Sequence, residues 1–308
     1  MKVQHLILAL TVLAVVATSC EEKQVMPGDN DHNQASLVIP DPTPDPEGFK
    51  VPEGAINVLE AVEIAKTLKF GEVTDKRYLI KGYLTSFNRT ESFKTDFPVY
   101  GNDFFYLSAV APTEELQPIH NFYAFRALGK YGAKFPDLDC LKEGDFVVIS
   151  CFITNYNGVF ESAGICFVAA TNNEHFNKAF PDLKPITLKA NEISIADAEA
   201  ITSKLKDEEI TKDSFMIRGI VCSIDYSKTD TTFENPEGYH NFTFNISDGN
   251  TVVATAYGIW HKKPKEAFTN LKQLQVWDEV ALKAPLQNYH VTCEPKGGYI
   301  YDSSNPDF

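Results

Sequence analysis

Positive charge is what this chain has least of. Its 308 residues carry 28 lysines and arginines against 42 acidic residues, a formal net charge of −14. A protein that grips nucleic acid by neutralising phosphates needs a basic footprint, so the acidic balance disfavours general nucleic-acid binding. The usual catalytic signatures are also missing: no GxSxG, no HExxH, no P-loop, and no GxGxxG behind a strand. His32, His120, His175, His240, His261 and His290 are scattered, mostly in expected loops. There is no CxxC pair, and no cysteine/histidine cluster has metal-ligand spacing, so the sequence predicts no metal and no cofactor. No enzymatic activity is expected. The apolar run at residues 6–17 is too short to cross a bilayer core of roughly 30 Å as a helix.

That run reads instead as the core of a signal peptide spanning residues 1–19, preceded by the single charge of Lys2. It ends in Ala17-Thr18-Ser19-Cys20, which resembles a bacterial lipobox, with Ala17 where leucine is usual. The resemblance implies lipidation at Cys20. Glu21-Glu22 resembles the acidic export signal of surface lipoproteins and implies the outer face of an outer membrane. Residues 20–52 then form a Pro/Asp-rich tether, with Pro40, Pro42, Pro44 and Pro46 spaced for extended polyproline II. We expect a spacer without a partner of its own.

Five cysteines follow Cys20: Cys140, Cys151, Cys166, Cys222 and Cys293. The number is odd, so at least one is free or pairs outside the chain. Cys151, Cys166 and Cys222 lie in apolar strand patterns and are expected to be buried.

The body of the chain is one unit used twice. Residues 77–87, RYLIKGYLTSF, return as residues 214–224, SFMIRGIVCSI, 137 positions later. Each copy opens with a capped helix: Asn57 with Glu60, then Ser194 with Asp197. The glycine of Lys81-Gly82 matches that of Arg218-Gly219 and suggests a bend or bulge. Long polar loops follow, at 88–102 and 225–241, and then strands at 103–108 and 242–247 and near 122–128 and 252–259. Leu141-Lys142-Glu143-Gly144-Asp145 matches Leu274-Gln275-Val276-Trp277-Asp278, and Asn155-Tyr156 matches Asn288-Tyr289. Asn157-Gly158 marks a two-residue hairpin. The expected fold is mainly β: two tandem five-stranded OB-like barrels, residues 53–178 and 186–308, each preceded by a short helix.

Ile80-Lys81-Gly82, Tyr100-Gly101-Asn102 with Phe105-Tyr106, Lys142-Glu143-Gly144-Asp145-Phe146-Val147, and Asn155-Tyr156-Asn157-Gly158 with Glu161-Ser162-Ala163 resemble motifs of Bacteroidetes secreted lipoproteins that carry OB-fold-like domains. The resemblance covers about residues 55–172; the second copy departs from it at Trp277 and His290. It implies a binding or scaffold role.

Period-two alternation places a candidate ligand face on the first barrel. Phe242, Phe244 and Ile246 should point inward and Thr243 and Asn245 outward. By the repeat, Phe105 and Leu107 point inward while Phe104 and Tyr106 point outward. Tyr123 and Phe125 share a face of the next strand, and Tyr100 and Tyr156 are expected to flank the platform from loops. A candidate basic contact is Trp260 with Lys262, Lys263 and Lys265. Three roles compete: a surface-anchored, non-enzymatic module binding glycan, peptide or protein; a single-strand nucleic-acid binder; and a structural part of an outer-membrane assembly. The lipobox makes one direct prediction. Cys20→Ala should abolish fatty-acid incorporation and displace the protein from the outer-membrane fraction, as read by radiolabelling and fractionation.

Overall fold

The computed structural model describes residues 41–112, 122–227, 229, 231–233 and 240–308. The signal peptide, Cys20, Glu21-Glu22, His32, His120 and most of the expected tether lie outside the described residues. Residues from Pro40 to Phe308 form one compact unit. No described helix is long and apolar enough to cross a membrane.

The first barrel comprises β1 (Ile56–Asn57), α1 (Val58–Thr67), β2 (Tyr78–Phe87), α2 (Glu91–Tyr100), β3 (Asp103–Ser108), β4 (Phe122–Ala127), β5 (Phe146–Tyr156) and β6 (Val159–Thr171). After α3 (Glu174–Ala179) come β7 (Glu192–Ile193), α4 (Ile195–Thr202), β8 (Ile210–Asp225), β9 (Phe242–Ser247), β10 (Val253–Ile259), β11 (Glu279–Tyr289), β12 (Thr292–Pro295) and β13 (Tyr299–Ser303). In the first copy β2 pairs with β3, β3 with β4, β4 with β6 in parallel, β6 with β5, and β5 back with β2. This closed order, with its parallel seam between β4 and β6, is the OB barrel. The second copy repeats it as β10-β9-β8-β11 with β12 and β13. Its parallel seam is made by the bridges Tyr257 to Lys296 and Trp260 to Tyr299.

Both helices carry full capping boxes, Asn57 with Glu60 and Ser194 with Asp197. Val58, Ala61, Val62 and Ala65 of α1 enter the first core, and Ile195 and Ala198 of α4 enter the second. The repeated glycines serve this packing. A Cβ on Gly82 would lie 2.6 Å from Val58 Cγ2, and one on Gly219 would lie 2.8 Å from Ile195 Cδ1. The bulges expected at these glycines fall later, between Leu84 and Ser86 and between Val221 and Ser223. A bulge re-aims side chains, and Cys222 thereby joins the core cluster of the first barrel rather than its own. All five described cysteines are buried and free.

Two elements differ from expectation. The loop at 88–102 contains α2, an amphipathic turn of helix hidden in a polar sequence. Thr90 caps it by accepting from Phe93 N at 3.3 Å, Phe93 and Phe97 bury one face, and Gly101 ends it in the left-handed region. The expected free spacer is also docked over residues 43–51. Thr43 N donates to Ala109 O at 3.0 Å, Tyr83 Oη donates to Pro44 O at 2.8 Å, and the Phe49 and Phe146 rings meet edge-on at 5.4 Å. The prolines hold the backbone extended and remove its donors, so this strap lies on the barrel without competing for ladder hydrogen bonds.

The basic residue before each glycine is neutralised. Lys81 Nζ meets Asp45 of the strap at 2.6 Å. Arg218, whose side chain is 4% exposed, meets both oxygens of Glu192 at 2.7 Å, Glu279 at 2.9 Å and Asp302 at 2.6 Å. Hydrogen bonds from Arg218 hold the Glu192 carboxyl down at about 2, against an ordinary 4.5. A depressed acid stabilises the fold above its unfolded pKa and loses that contribution as pH falls through its folded one. The wild type should therefore lose stability between about pH 4.5 and 2. Arg218→Ala should cost roughly 3–5 kcal/mol at neutral pH by stranding the buried Glu192 carboxylate and should flatten that acid limb in urea unfolding.

Candidate aromatic cleft on the first barrel

The strand parity holds. Phe105 and Leu107 are buried, as are Phe242, Phe244 and Ile246. Phe104 and Tyr106 turn to the opposite face, where rings from β3 and β4 interlock. Tyr106 stacks on Tyr123 at 4.7 Å, Phe104 lies 6.5 Å from Tyr123, and the edge of Phe125 meets Phe104 at 5.3 Å. Arg126, with φ 51°, lays its guanidinium over Phe125 at 5.1 Å.

The missed helix α2 builds the other wall. Phe93 packs edge-on against Phe104 at 5.5 Å, and between α2 and the platform lies a cleft of about 420 Å³. Phe93, Phe104, Tyr123 and Tyr100 line it, with Asn88, Asn102, Thr90, Ser92, Asp96 and Arg126 supplying polar groups. Small-molecule sites usually occupy a few hundred cubic ångströms, with an apolar floor and a few placed polar groups. Asn88 Nδ2 donates to Tyr123 Oη at 3.0 Å. Burial raises the Tyr123 phenol to about 12, the Asn88 bond opposing it, so the hydroxyl keeps its proton. Arg89 forms a two-pronged pair with the buried Asp103, lies 3.7 Å from the Phe87 ring centre, and donates to Leu138 O at 2.9 Å. This fixes the loop that carries Asn88 and Thr90.

Of the expected site residues, Phe104, Tyr123 and Tyr100 line the cleft, and Tyr106 and Phe125 support its floor. Tyr156 is elsewhere: it is exposed at the β5–β6 hairpin and packs on Phe70 at 5.4 Å. The two-residue hairpin aims it away from β3 and β4. Trp260 sits on the seam of the second barrel, bridged to Tyr299. Around it Lys263 pairs with Glu266 at 3.2 Å and Lys262 lies over the Phe308 ring at 5.0 Å, while Lys265 is exposed. His261, expected in a loop, is buried against Phe268 and Phe308, and burial pushes its pKa down. Sequence reading missed Asn88, Asp96 and Arg126, which carry no motif, and quoted Asn102 only as part of Tyr100-Gly101-Asn102; they converge only because α2 folds over β3.

The first barrel packs over part of the matching face of the second, leaving a cavity of about 180 Å³ lined by Thr243, Asn245 and Thr255 on one side and by Tyr100, Leu128 and Lys134 on the other. Asn245 Nδ2 donates to Gly132 O at 3.3 Å, and a Cβ on Gly132 would lie 2.8 Å from Val253 Cγ1. The interlocked rings have no counterpart there: Thr243 and Asn245 stand in place of Phe104 and Tyr106.

Behind the tyrosine pair stands Glu161, opposite Tyr123 across the parallel seam. Burial alone pushes its carboxyl up to about 7 from 4.5. The folded state thus favours the neutral acid, and ionisation costs stability as pH rises from about 4.5 to 7. Glu161→Gln should remove that decline. Its advantage over the wild type in urea unfolding should grow across this interval and level off above it.

Compared with protein-family models and with curated proteins, the chain matches none. Among solved structures it is similar to the crystal structure of the Ifi202 HINa domain in complex with 20bp dsDNA, at 14% identity over 75% of this chain and 97% of that one, with a TM-score of 0.22. The barrel assignment rests on the strand pairing described above.

Proposed function

We propose that the chain is a non-enzymatic binding module whose first barrel holds a short, uncharged stretch of oligosaccharide, and that Cys20 anchors it by lipid to the outer membrane, facing the cell surface. The observation that carries the reading is the cleft: aromatic rings form its floor, and side-chain amides and hydroxyls form its rim. A sugar ring offers an apolar C–H face to such a floor and hydroxyls to such a rim. Charge separates this ligand from a nucleic acid. Among the described residues the cleft holds one guanidinium, Arg126, and one carboxylate, Asp96, with Glu161 behind the floor. A single guanidinium among the described residues would not neutralise a run of phosphates, and the chain as a whole is strongly acidic. The lipobox and the acidic residues after Cys20 support the address.

An array of polysaccharides, peptides and oligonucleotides, probed with the full-length protein, tests the reading. Binding should fall on neutral glycans and change little from about 50 to 200 mM salt, where phosphate-driven affinity would collapse. Phe104→Ala and Tyr100→Ala should each weaken it about tenfold, within the ~1–3 kcal/mol known for stacking on an aromatic ring. Oligonucleotide hits that vanish with salt, or glycan binding that both folded variants retain, would overturn it. Silence on the array with co-purifying envelope proteins would favour the structural role.

A further inference from the structure

Away from the cleft, three metal-ligating side chains converge, two from one loop and the third from a later helix. Asp137 and Cys140 lie on the loop before β5, and His175 lies on α3. One ligand atom from each falls within 4.8 Å of the other two. His175 Nε2 and Asp137 Oδ2 are already 3.4 Å apart. A tetrahedron with zinc bond lengths of ~2.0–2.3 Å has edges of ~3.3–3.8 Å, so one edge is formed and the thiol has about an ångström to move.

The backbone around the trio is held independently of any metal. The rings of Phe135 and Phe176, one from each segment, meet edge-on at 6.0 Å, and Phe176 packs on Phe180 at 4.8 Å. Phe176 is fully buried. Asn173 Oδ1 caps α3 by accepting from Phe176 N at 3.0 Å. Asp139 N donates to Asp137 Oδ1 at 2.9 Å, which leaves Oδ2 turned toward His175. Cys140 is 1% exposed, while His175 and Asp137 stand half exposed above it. The sulfur therefore closes the site from below, and the imidazole and carboxylate close it from the solvent side.

From this geometry we propose that Asp137, Cys140 and His175 bind a divalent transition metal of borderline softness, Zn²⁺ above all, with the fourth position open to water or to a partner's ligand. The donor set selects the ion: Ca²⁺ and Mg²⁺ take oxygen ligands, whereas sulfur, nitrogen and oxygen together suit zinc. The metal would clamp the loop to α3. That loop also holds the cleft, because Leu138 O, next to Asp137, accepts from Arg89. The assignment does not depend on what the cleft binds.

Full-length protein, reduced and stripped with a chelator, should take up one equivalent of Zn²⁺ against a chromophoric competitor, and its Tm should rise. Co²⁺ in place of zinc should give a thiolate-to-metal charge-transfer band. His175→Ala and Asp137→Asn should each weaken zinc binding at least tenfold, and Cys140→Ser should abolish the cobalt band. Cys140 is buried, so if its variant fails to fold the two exposed ligands carry the test. Absence of stoichiometric zinc in the wild type would overturn the proposal. So would unchanged affinity in His175→Ala, which would place the metal at Cys20 or at other histidines.

Discussion

Arg77 is the residue on which the arrangement of the two barrels turns. Its guanidinium pairs with Glu199 of α4 at 2.9 Å, with the two side chains only 7% and 13% exposed. It also donates to Ser150 O and Ile165 O in its own barrel and lies over the ring of Phe152 at 4.9 Å. A buried arginine without its acid would cost roughly 3–5 kcal/mol, so the barrels are held in one relation. Ser150 Oγ adds a bond to Thr251 O at 2.8 Å, and Tyr131 meets Trp277 edge-on at 6.4 Å.

That relation decides which barrel can act. Two copies of one fold would offer two equivalent faces on their second and third strands. The contact through Gly132, Asn245 and Val253 narrows the face of the second barrel to a cavity of about 180 Å³ walled by the first, whereas the first barrel's own face carries a cleft of about 420 Å³. Trp277 shows how far the second copy has been adapted to this packing. It occupies a left-handed position, φ 78°, where the first copy has Gly144 at φ 92°. A tryptophan bears strain there that glycine does not, and its ring makes the contact with Tyr131. The hairpin at His290-Val291, with φ 47° and 60°, likewise keeps the backbone of Asn157-Gly158 without its favoured residues. The second barrel reads as a support whose sequence answers to its neighbour.

The fold was legible because each copy carried local signals that agree with the global one. The capping boxes, the glycine that admits the helix, the Asn-Tyr before the last hairpin and the apolar alternation of Phe105 and Leu107 with Phe244 and Ile246 all appear at repeated spacing. The floor of the cleft followed from the same alternation. Its wall did not: α2 contains Pro98 and lies in a polar stretch, and only Phe93 and Phe97 mark its buried side. The strap was illegible for the opposite reason, since a proline-rich run reads as extended whether it is free or docked. Asp137, Cys140 and His175 were missed because their spacing is set by the packing of Phe135 on Phe176, which no local pattern records.

In the proposed function one barrel binds and the other supports it. A calorimetric titration of the full-length protein with the glycan that binds it best tests this most directly. The account predicts one site per chain. Two equivalent sites would contradict it, because they would require the face at Thr243 and Asn245 to be as open as that at Phe104 and Tyr123.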